Sequence, residues 1–200
     1  MLENTAKQEI EIHELMRRRW SPKDFDPDKA ISREKLRTLL EAARWAPSSY
    51  NEQPWRFIVS DRAVDPVSWR KALDALVEQN REWARNAPVL ILAIAIEHFA
   101  KNGQFNRCAQ YDTGAASLSL ALQATALGLV THQMGGFDAD KARLFFNLPE
   151  ACQPMAMIAV GYQSARPHGE QPAANAQFAS RARAPIEKHF FSGEWGKGIE

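Results

Sequence analysis

Residues 44–59 read RWAPSSYNEQPWRFIV and join a predicted helix to a predicted strand. An apolar helical repeat stops at Pro47, and Trp55 opens a run of aromatic and β-branched residues that is typical of a strand. Packing alone does not require four polar side chains between two hydrophobic elements, whereas a loop that hydrogen-bonds a flat polar ligand does. The four polar side chains are Ser48, Ser49, Asn51 and Gln53. The alternative is that these four are ordinary turn residues.

The overall composition limits the class of protein. The chain has 200 residues, 45% of them hydrophobic, so we expect a single domain over residues 1–200. With 25 basic and 24 acidic residues, its net charge of +1 gives no reason to expect a nucleic-acid or anionic-membrane partner. The longest apolar run, Pro88 to Ile96, is shorter than the roughly 20 residues that cross a bilayer. Because Met1 to Glu14 has no signal-peptide pattern, we expect a cytoplasmic protein.

Metal and hydrolase chemistry have little support in the sequence. Cys108 and Cys152 are too few and too distant for a disulfide framework, and the five histidines show no ligand spacing, so no metal site is expected. The motifs G-x-S-x-G, G-x-G-x-x-G and G-x-x-x-x-G-K-[ST] are absent. A nicotinamide nucleotide would therefore enter the same cleft as the substrate, without a dinucleotide domain of its own.

Apolar periodicity predicts interleaved helices and strands. The run at 89–96 lacks alternation, which predicts a central strand buried on both faces. The pattern indicates an α+β protein with helices on both faces of a sheet. A polar loop or a mobile short helix is predicted at 98–107, an extended arm at 163–179 and a docking aromatic tail at 181–200. The predicted helices run from Gln8 to Arg19, Ser32 to Pro47, Pro66 to about Asn80, Gln110 to Leu127 and Asp138 to Phe146, and the predicted strands span 55–61, 89–96, 130–134 and 155–161.

Two cationic groups stand at opposite ends of the chain. The first contains the run 17–19 and Lys23, and the second contains Arg181 and Arg183. A phosphate monoester is best held by arginine forks and a lysine point charge. The proline after each group, Pro22 or Pro185, favours a rigid, non-helical segment. The alternative is that each group is a solvated surface face.

Three further features allow a binding role or an ordinary structural one. Gly135-Gly136 lies beside a bound ring or forms a strand-to-helix turn. Asn80 contacts a ligand or is a helix-terminal amide. Aromatic residues around the 98–107 loop roof a cleft and stack on flat substrates, or they pack as surface side chains. These aromatic residues are Phe99, Phe105 and Tyr111.

Five short motifs stand in the order in which they occur in a known family. The loop P-S-S-x-N-x-Q-P-W is present in full from Pro47 to Trp55. A pattern of the form R-[RH]-S-x-[RK]-x-F stands at 19–25, with Trp20 in place of the second basic residue. On these motifs and those that follow, the chain resembles the nitroreductase family of FMN-dependent oxidoreductases over nearly its whole length.

The remaining motifs lie in the second half of the match. Asn80 matches the family's asparagine before the central strand, and the position three residues later, often lysine in related enzymes, is Trp83. The segment G-L-x-x-x-x-x-G-G-F-[DN] stands at 128–138. A basic pair before a proline corresponds to Arg181 and Arg183 ahead of Pro185.

The resemblance implies an FMN-dependent nitroreductase-like fold, with a central mixed, mostly antiparallel sheet flanked by helices and an extended C-terminal arm. It implies an obligate homodimer with FMN at the interface, in which residues 163–200 pack on the partner subunit. The phosphate and pyrimidine edge would be held by Arg19, Ser21, Lys23, Arg181 and Arg183. The partner subunit would supply Ser48, Ser49 and Asn51, while Asn80 and the Gly135-Gly136 backbone would contact the isoalloxazine. The whole implied cofactor-binding set is Arg18, Arg19, Trp20, Ser21, Lys23, Pro47, Ser48, Ser49, Asn51, Gln53, Asn80, Trp83, Gln133, Met134, Gly135, Gly136, Arg181 and Arg183.

The activity implied by the resemblance is reduction of nitroaromatics, quinones or similar flat electrophiles by NAD(P)H through ping-pong hydride transfer. FMN carries the chemistry, and Lys23 or Arg183 is the candidate stabiliser of negative charge on the flavin. One alternative is a flavin-binding, flavin-consuming or dehalogenating member without broad NAD(P)H-driven nitroreduction. Another is a non-enzymatic interaction module that binds through Phe190-Phe191 and Trp195.

Overall fold

The computed structural model describes residues 10–164 and 182–199. Six α-helices and four β-strands are interleaved along this part of the chain. Two short 3₁₀ turns, Ser49–Asn51 and Ile186–Lys188, complete it. In chain order the elements are α1 (Glu14–Arg18), α2 (Arg33–Arg44), β1 (Trp55–Asp61), α3 (Pro66–Asp74), α4 (Glu78–Ala84), β2 (Val89–Ile96), α5 (Ala109–Ala126), β3 (Val130–Met134), α6 (Ala139–Phe146) and β4 (Cys152–Gly161).

The four strands form one sheet in the order β1-β2-β4-β3, and its three pairings are antiparallel. The predicted central strand is confirmed, because β2 pairs on both edges and all but its last residue are buried. One face of the sheet packs against α2 and α5, around Leu39 and Leu120. The other packs against α3, α4 and α6, around Leu92 and Met157. The predicted α+β arrangement with helices on both faces is confirmed.

Local capping explains several helix boundaries. Ser32 Oγ accepts the Lys35 N–H at 3.2 Å, which starts α2 where the sequence predicted. Asp65 caps α3 with a proline at the next position, and Asp138 caps α6. At the end of α5, Gly128 takes a φ of +74° and the next N–H bonds back to the helix, as a C-terminal glycine cap requires.

Three predicted boundaries were wrong. Within the described residues α1 is only Glu14–Arg18, because His13 accepts the Leu15 N–H and starts the helix there. The predicted helix from Pro66 splits into α3 and α4, because Leu76 bridges to Phe137 and takes the chain out of the helix. Pairing with β2 extends β4 back to 152, where the predicted strand began at 155.

The C-terminal region is described only in part. Residues 165–181 lie outside the described residues, and with them most of the predicted arm and Arg181. In the tail, Phe191 bridges to Gly198 and its ring lies 4.8 Å from that of Trp195. The Trp195 side chain is 91% exposed, and docking of the tail on a partner subunit stays a prediction. Across residues 10–164 and 182–199, no helix combines the length and apolar content needed to cross a bilayer.

Candidate functional site

Two arginines from opposite ends of the chain lie close enough to interact. Arg19 follows α1 directly, and its Nη1 lies 3.5 Å from Ser21 Oγ, to which it donates. Burial lowers the pKa of Arg19, and the positive charge of Arg183 lowers it further. Holding two like charges together costs free energy, which an anion bound beside both would offset. The structure therefore places Arg183 within electrostatic range of Arg19, although the two lie more than 160 positions apart in the sequence.

His132 connects this cationic group to the sheet. It lies on β3, and its Nδ1 is 3.0 Å from the carbonyl oxygen of Pro22. Burial is the largest cause that lowers the pKa of His132; the carbonyls of Pro22 and Ser21 oppose it, while the charges of Lys23 and Arg19 lower the pKa further. Ser21, Lys23 and Arg19 of the first basic motif thus all lie around the imidazole of His132.

Trp83 extends the site from His132 to α4. The two ring centroids are 4.5 Å apart, and Trp83 also stacks on Phe25 with a centroid distance of 6.0 Å. The indole is 9% exposed, and its Nε1–H has no hydrogen-bond partner within residues 10–164 and 182–199. A buried donor without a partner is uncommon in native proteins, and an acceptor on a bound ligand would satisfy it.

Asn80 and Gly136 lie at the other end of the site. Asn80 Nδ2 donates to the Gly136 carbonyl at 3.0 Å, and the Val77 N–H donates to the same oxygen at 3.1 Å. A Cβ on Gly136 would lie 2.6 Å from Asn80 Nδ2, so only glycine fits without a shift. Asn80 and Trp83 are three residues apart on α4 and share a face of that helix. Gly136, Asn80, Trp83 and His132 thus follow one another toward the segment that carries Arg19 and Lys23.

The polar loop after α2 has an unusual backbone. Tyr50, Asn51 and Gln53 have φ values of 54°, 55° and 52°, and none of them is glycine. Such left-handed conformations cost of order 1–3 kcal/mol each and persist only where the surroundings hold them. Ser48 contributes by accepting the Gln53 N–H at 3.0 Å. Strain of this kind is concentrated at functional sites, which favours the binding interpretation of the loop over the turn interpretation.

Two carboxylates hold this loop against its neighbours. Asp112, buried in the first turn of α5, accepts the Ser49 N–H at 3.0 Å. Glu52 accepts the N–H of Ala100, in the segment after β2, at 2.7 Å. The loop's own contacts thus run to α5 and to the 98–107 segment, on the side where the exposed aromatic residues lie.

The predicted aromatic residues lie at the surface beside that loop. The Phe99 ring packs edge-on against Tyr50 with centroids 6.0 Å apart, and Phe105 packs edge-on against His98. Tyr50 and Tyr111 are 92% and 82% exposed. Of the two predicted alternatives, residues 98–107 adopt the loop, which is closed by a bridge between His98 and Phe105. A role in roofing a cleft stays a prediction.

The other predicted cofactor-binding residues lie in mixed surroundings. Arg18 pairs with Glu14 at 3.3 Å. Gln133 Nε2 donates to a carbonyl on α5 at 3.4 Å. Trp20 and Met134 are buried, Pro47 and Gly135 are exposed, and Arg181 lies outside the described residues. Their contacts with a cofactor stay predictions.

Sequence reasoning missed two residues of the site, His132 and Asp112. His132 bonds to a backbone carbonyl 110 positions away and packs on Trp83, while Asp112 bonds to a backbone N–H 63 positions away. Neither residue stands in a motif position that signals it. Metal chemistry gains no support either. Over residues 10–164 and 182–199, no group of three or more His, Cys, Asp and Glu side chains could hold a metal ion, and both cysteines are free thiols.

Comparisons with known proteins point to one family. The model of the nitroreductase family matches residues 16–162. The NAD(P)H nitroreductase candidate YdgI of Bacillus subtilis (strain 168) is 28% identical over 184 residues, which cover 74% of this chain and 86% of YdgI. A solved oxidoreductase containing FMN superposes with a TM-score of 0.90 at 32% identity, covering 98% of this chain and 99% of the other.

A second solved structure adds to the likeness. A Desulfovibrio desulfuricans protein in complex with FMN is 27% identical, with a TM-score of 0.69, and the match covers 90% of this chain and 95% of the other. The family match spans the first basic motif, the polar loop and the Gly-Gly segment. With well over half of its length matched by the family model, the chain belongs to the nitroreductase family.

Proposed function

We propose that the protein is an FMN-dependent oxidoreductase that uses NAD(P)H to reduce nitroaromatics, quinones or similar flat electrophiles in a ping-pong reaction. The observation that carries the proposal is that the charge of Arg183 acts on the half-buried Arg19, which suits a phosphate group bound beside both at one end of an extended site. The family membership and the FMN found in two structural relatives support it.

The residues along the site fit FMN in chemistry and in order. Arg19, Ser21 and Arg183 would hold the phosphate through charge-assisted hydrogen bonds. At the opposite end, the amide of Asn80 and the Gly136 backbone suit the polar edge of the ring system. Between these ends, the orphan N–H of Trp83 would find an acceptor. A nucleotide with an anionic tail and a flat polar head matches this order.

The chemistry that FMN supplies when bound is hydride acceptance from NAD(P)H and delivery of reducing equivalents to the acceptor. The protein's part is electrostatic. Lys23, which is itself exposed, places a positive charge near the half-buried His132 and so favours an anionic ligand. Protons for the reduced product come from solvent, so no side-chain acid is required. A shared cleft would oblige the spent nicotinamide to leave before the acceptor binds.

We propose a homodimer in which the polar loop of one subunit completes the site of the other. Within one chain the loop's contacts run to α5 and to residue 100, while its outer residues Tyr50 and Asn51 are exposed. A strained loop that presents exposed polar groups suits a contribution to a neighbouring site. Sedimentation of the flavin-loaded protein should therefore show a dimer. A monomer that retains FMN would contradict the shared site.

Anaerobic steady-state kinetics test the proposed activity. The purified protein should be yellow or take up FMN. With NAD(P)H and a quinone or nitroaromatic varied together, double-reciprocal plots should be parallel because the two substrates bind in turn. Intersecting lines would indicate simultaneous binding. Bound FMN without NAD(P)H oxidation would favour the flavin-consuming or dehalogenating alternative. A colourless protein that cannot be reconstituted would favour an interaction module, for which the exposed Trp195 is the best surface.

A further inference from the structure

His132 lies where three parts of the site meet, and in the 128–138 motif it occupies a position at which no residue type is specified. Its ring packs against Trp83 of α4, and its Nδ1 faces the Pro22 carbonyl at 3.0 Å. A carbonyl oxygen can only accept, so the hydrogen of this bond must be on Nδ1. In the neutral imidazole Nε2 then carries a lone pair. The structure thereby assigns the tautomer of His132.

Pro22 stands between Ser21 and Lys23, so its position sets the position of both. The chain beyond it is fixed: Phe25 bridges to Gln163, and the Asp26 N–H bonds to the backbone at residue 162. The chain before it runs through the buried Trp20 to α1, a helix of five residues with no buried side chain. The hydrogen bond from His132 ties Pro22 directly to β3, between the buried Trp20 on one side and the Phe25 bridge on the other.

We propose that His132 is a positioning residue, which holds the Ser21–Lys23 segment in its ligand-binding arrangement through the Nδ1–H bond to the Pro22 carbonyl. This inference rests on the proposed FMN site. The imidazole itself need not touch the cofactor. Its effect passes through the backbone to the hydroxyl of Ser21 and the ammonium group of Lys23. The burial and the two nearby positive charges that lower the pKa of His132 favour the neutral ring, which suits this role.

Three variants of the full chain separate the hydrogen bond from the packing of the ring. His132→Phe keeps an aromatic ring against Trp83 but removes the donor. His132→Asn places an amide N–H where Nδ1 stood, and His132→Gln places it where Nε2 stood. We expect FMN affinity to fall about five- to tenfold in the Phe and Gln variants, the size of one lost hydrogen bond, and to stay within about twofold of wild type in the Asn variant. Fluorescence titration of the deflavinated proteins measures each dissociation constant.

The outcomes distinguish this inference from the proposed function. A wild-type chain that does not bind FMN would overturn the proposed function, and this inference with it. Suppose instead that the wild type binds FMN. If His132→Phe then binds it as tightly as the wild type, or if His132→Asn loses as much affinity as His132→Phe, the inference alone would be overturned. Long-range ¹⁵N–¹H spectra of the unmutated protein give an independent reading: a protonated Nδ1 and a bare Nε2 are expected, and the opposite tautomer would refute the assignment.

Discussion

Arg19→Ala should weaken FMN binding by a factor of about ten to more than a hundred. Loss of one charge-assisted hydrogen bond costs roughly 1.5–3 kcal/mol, and Arg19 is half-buried, where such a bond is poorly screened. The dissociation constant of the deflavinated full chain for FMN measures the effect. Arg37→Ala is the matched control, because it removes one positive charge from the exposed face of α2. An affinity that is the same in both variants would remove Arg19 from the binding site.

A double-mutant cycle with Arg183→Ala tests whether the two arginines bind one anion. In the absence of ligand the Arg183 charge disfavours the charged form of Arg19, so its removal should not lower the thermal stability of the apoprotein. It should nevertheless weaken FMN binding. Groups that share a ligand couple by about 0.5–3 kcal/mol, so the two single losses should not add. Strictly additive losses would place the two arginines on separate ligands.

Gly136→Ala should weaken FMN binding by roughly tenfold or more and should also destabilise the apoprotein. The new Cβ would lie 2.6 Å from Asn80 Nδ2 and 3.0 Å from Val77 Cγ2, so the amide must swing away from the Gly136 carbonyl. Losing that hydrogen bond and overpacking the contact costs about 1–3 kcal/mol. Thermal unfolding of the apoprotein and FMN titration measure the two effects separately.

The adjacent glycine provides a matched control for stability. A Cβ on Gly135 would have no heavy atom within 4 Å, so Gly135→Ala should change apoprotein stability by less than about 0.5 kcal/mol. If Gly136→Ala acts by displacing Asn80, adding Asn80→Ala should cause little further loss of FMN affinity. Equal stability of the two glycine variants, or a full second loss on adding Asn80→Ala, would contradict this explanation.

Much of the fold could be predicted because short-range chemistry sets many element boundaries. Strand β1 occupies the predicted residues, since aromatic and β-branched side chains after a proline favour a strand without distant help. Ser32 and Asp138 start their helices through hydrogen bonds that span three residues. Two of the three boundaries that failed, those of α3 and β4, depend on distant partners. The bridge between Leu76 and Phe137, which ends α3, joins positions 61 apart in the chain.

In the candidate site, too, some features could be read from the sequence and others depend on tertiary packing. The polar loop could be found from its composition, but its left-handed backbone and its attachment to Asp112 could not, because both depend on how α5 packs beneath it. The indole at position 83 could be noted as a substitution for lysine. Its burial against Phe25 and His132, which leaves Nε1 without a partner in the described chain, is a result of packing.

By itself the sequence determined which residue types are available and in what order: two basic groups, a polar loop, an asparagine and a glycine pair, set among helices and strands whose caps are local. Only the tertiary structure decided that Arg19 and Arg183 meet, and that His132 ties the first basic segment to the sheet. Motifs and caps depend on residues that are neighbours along the chain, so the sequence reveals them. Contacts between residues that are distant in sequence depend on how the antiparallel sheet packs between its two helical layers.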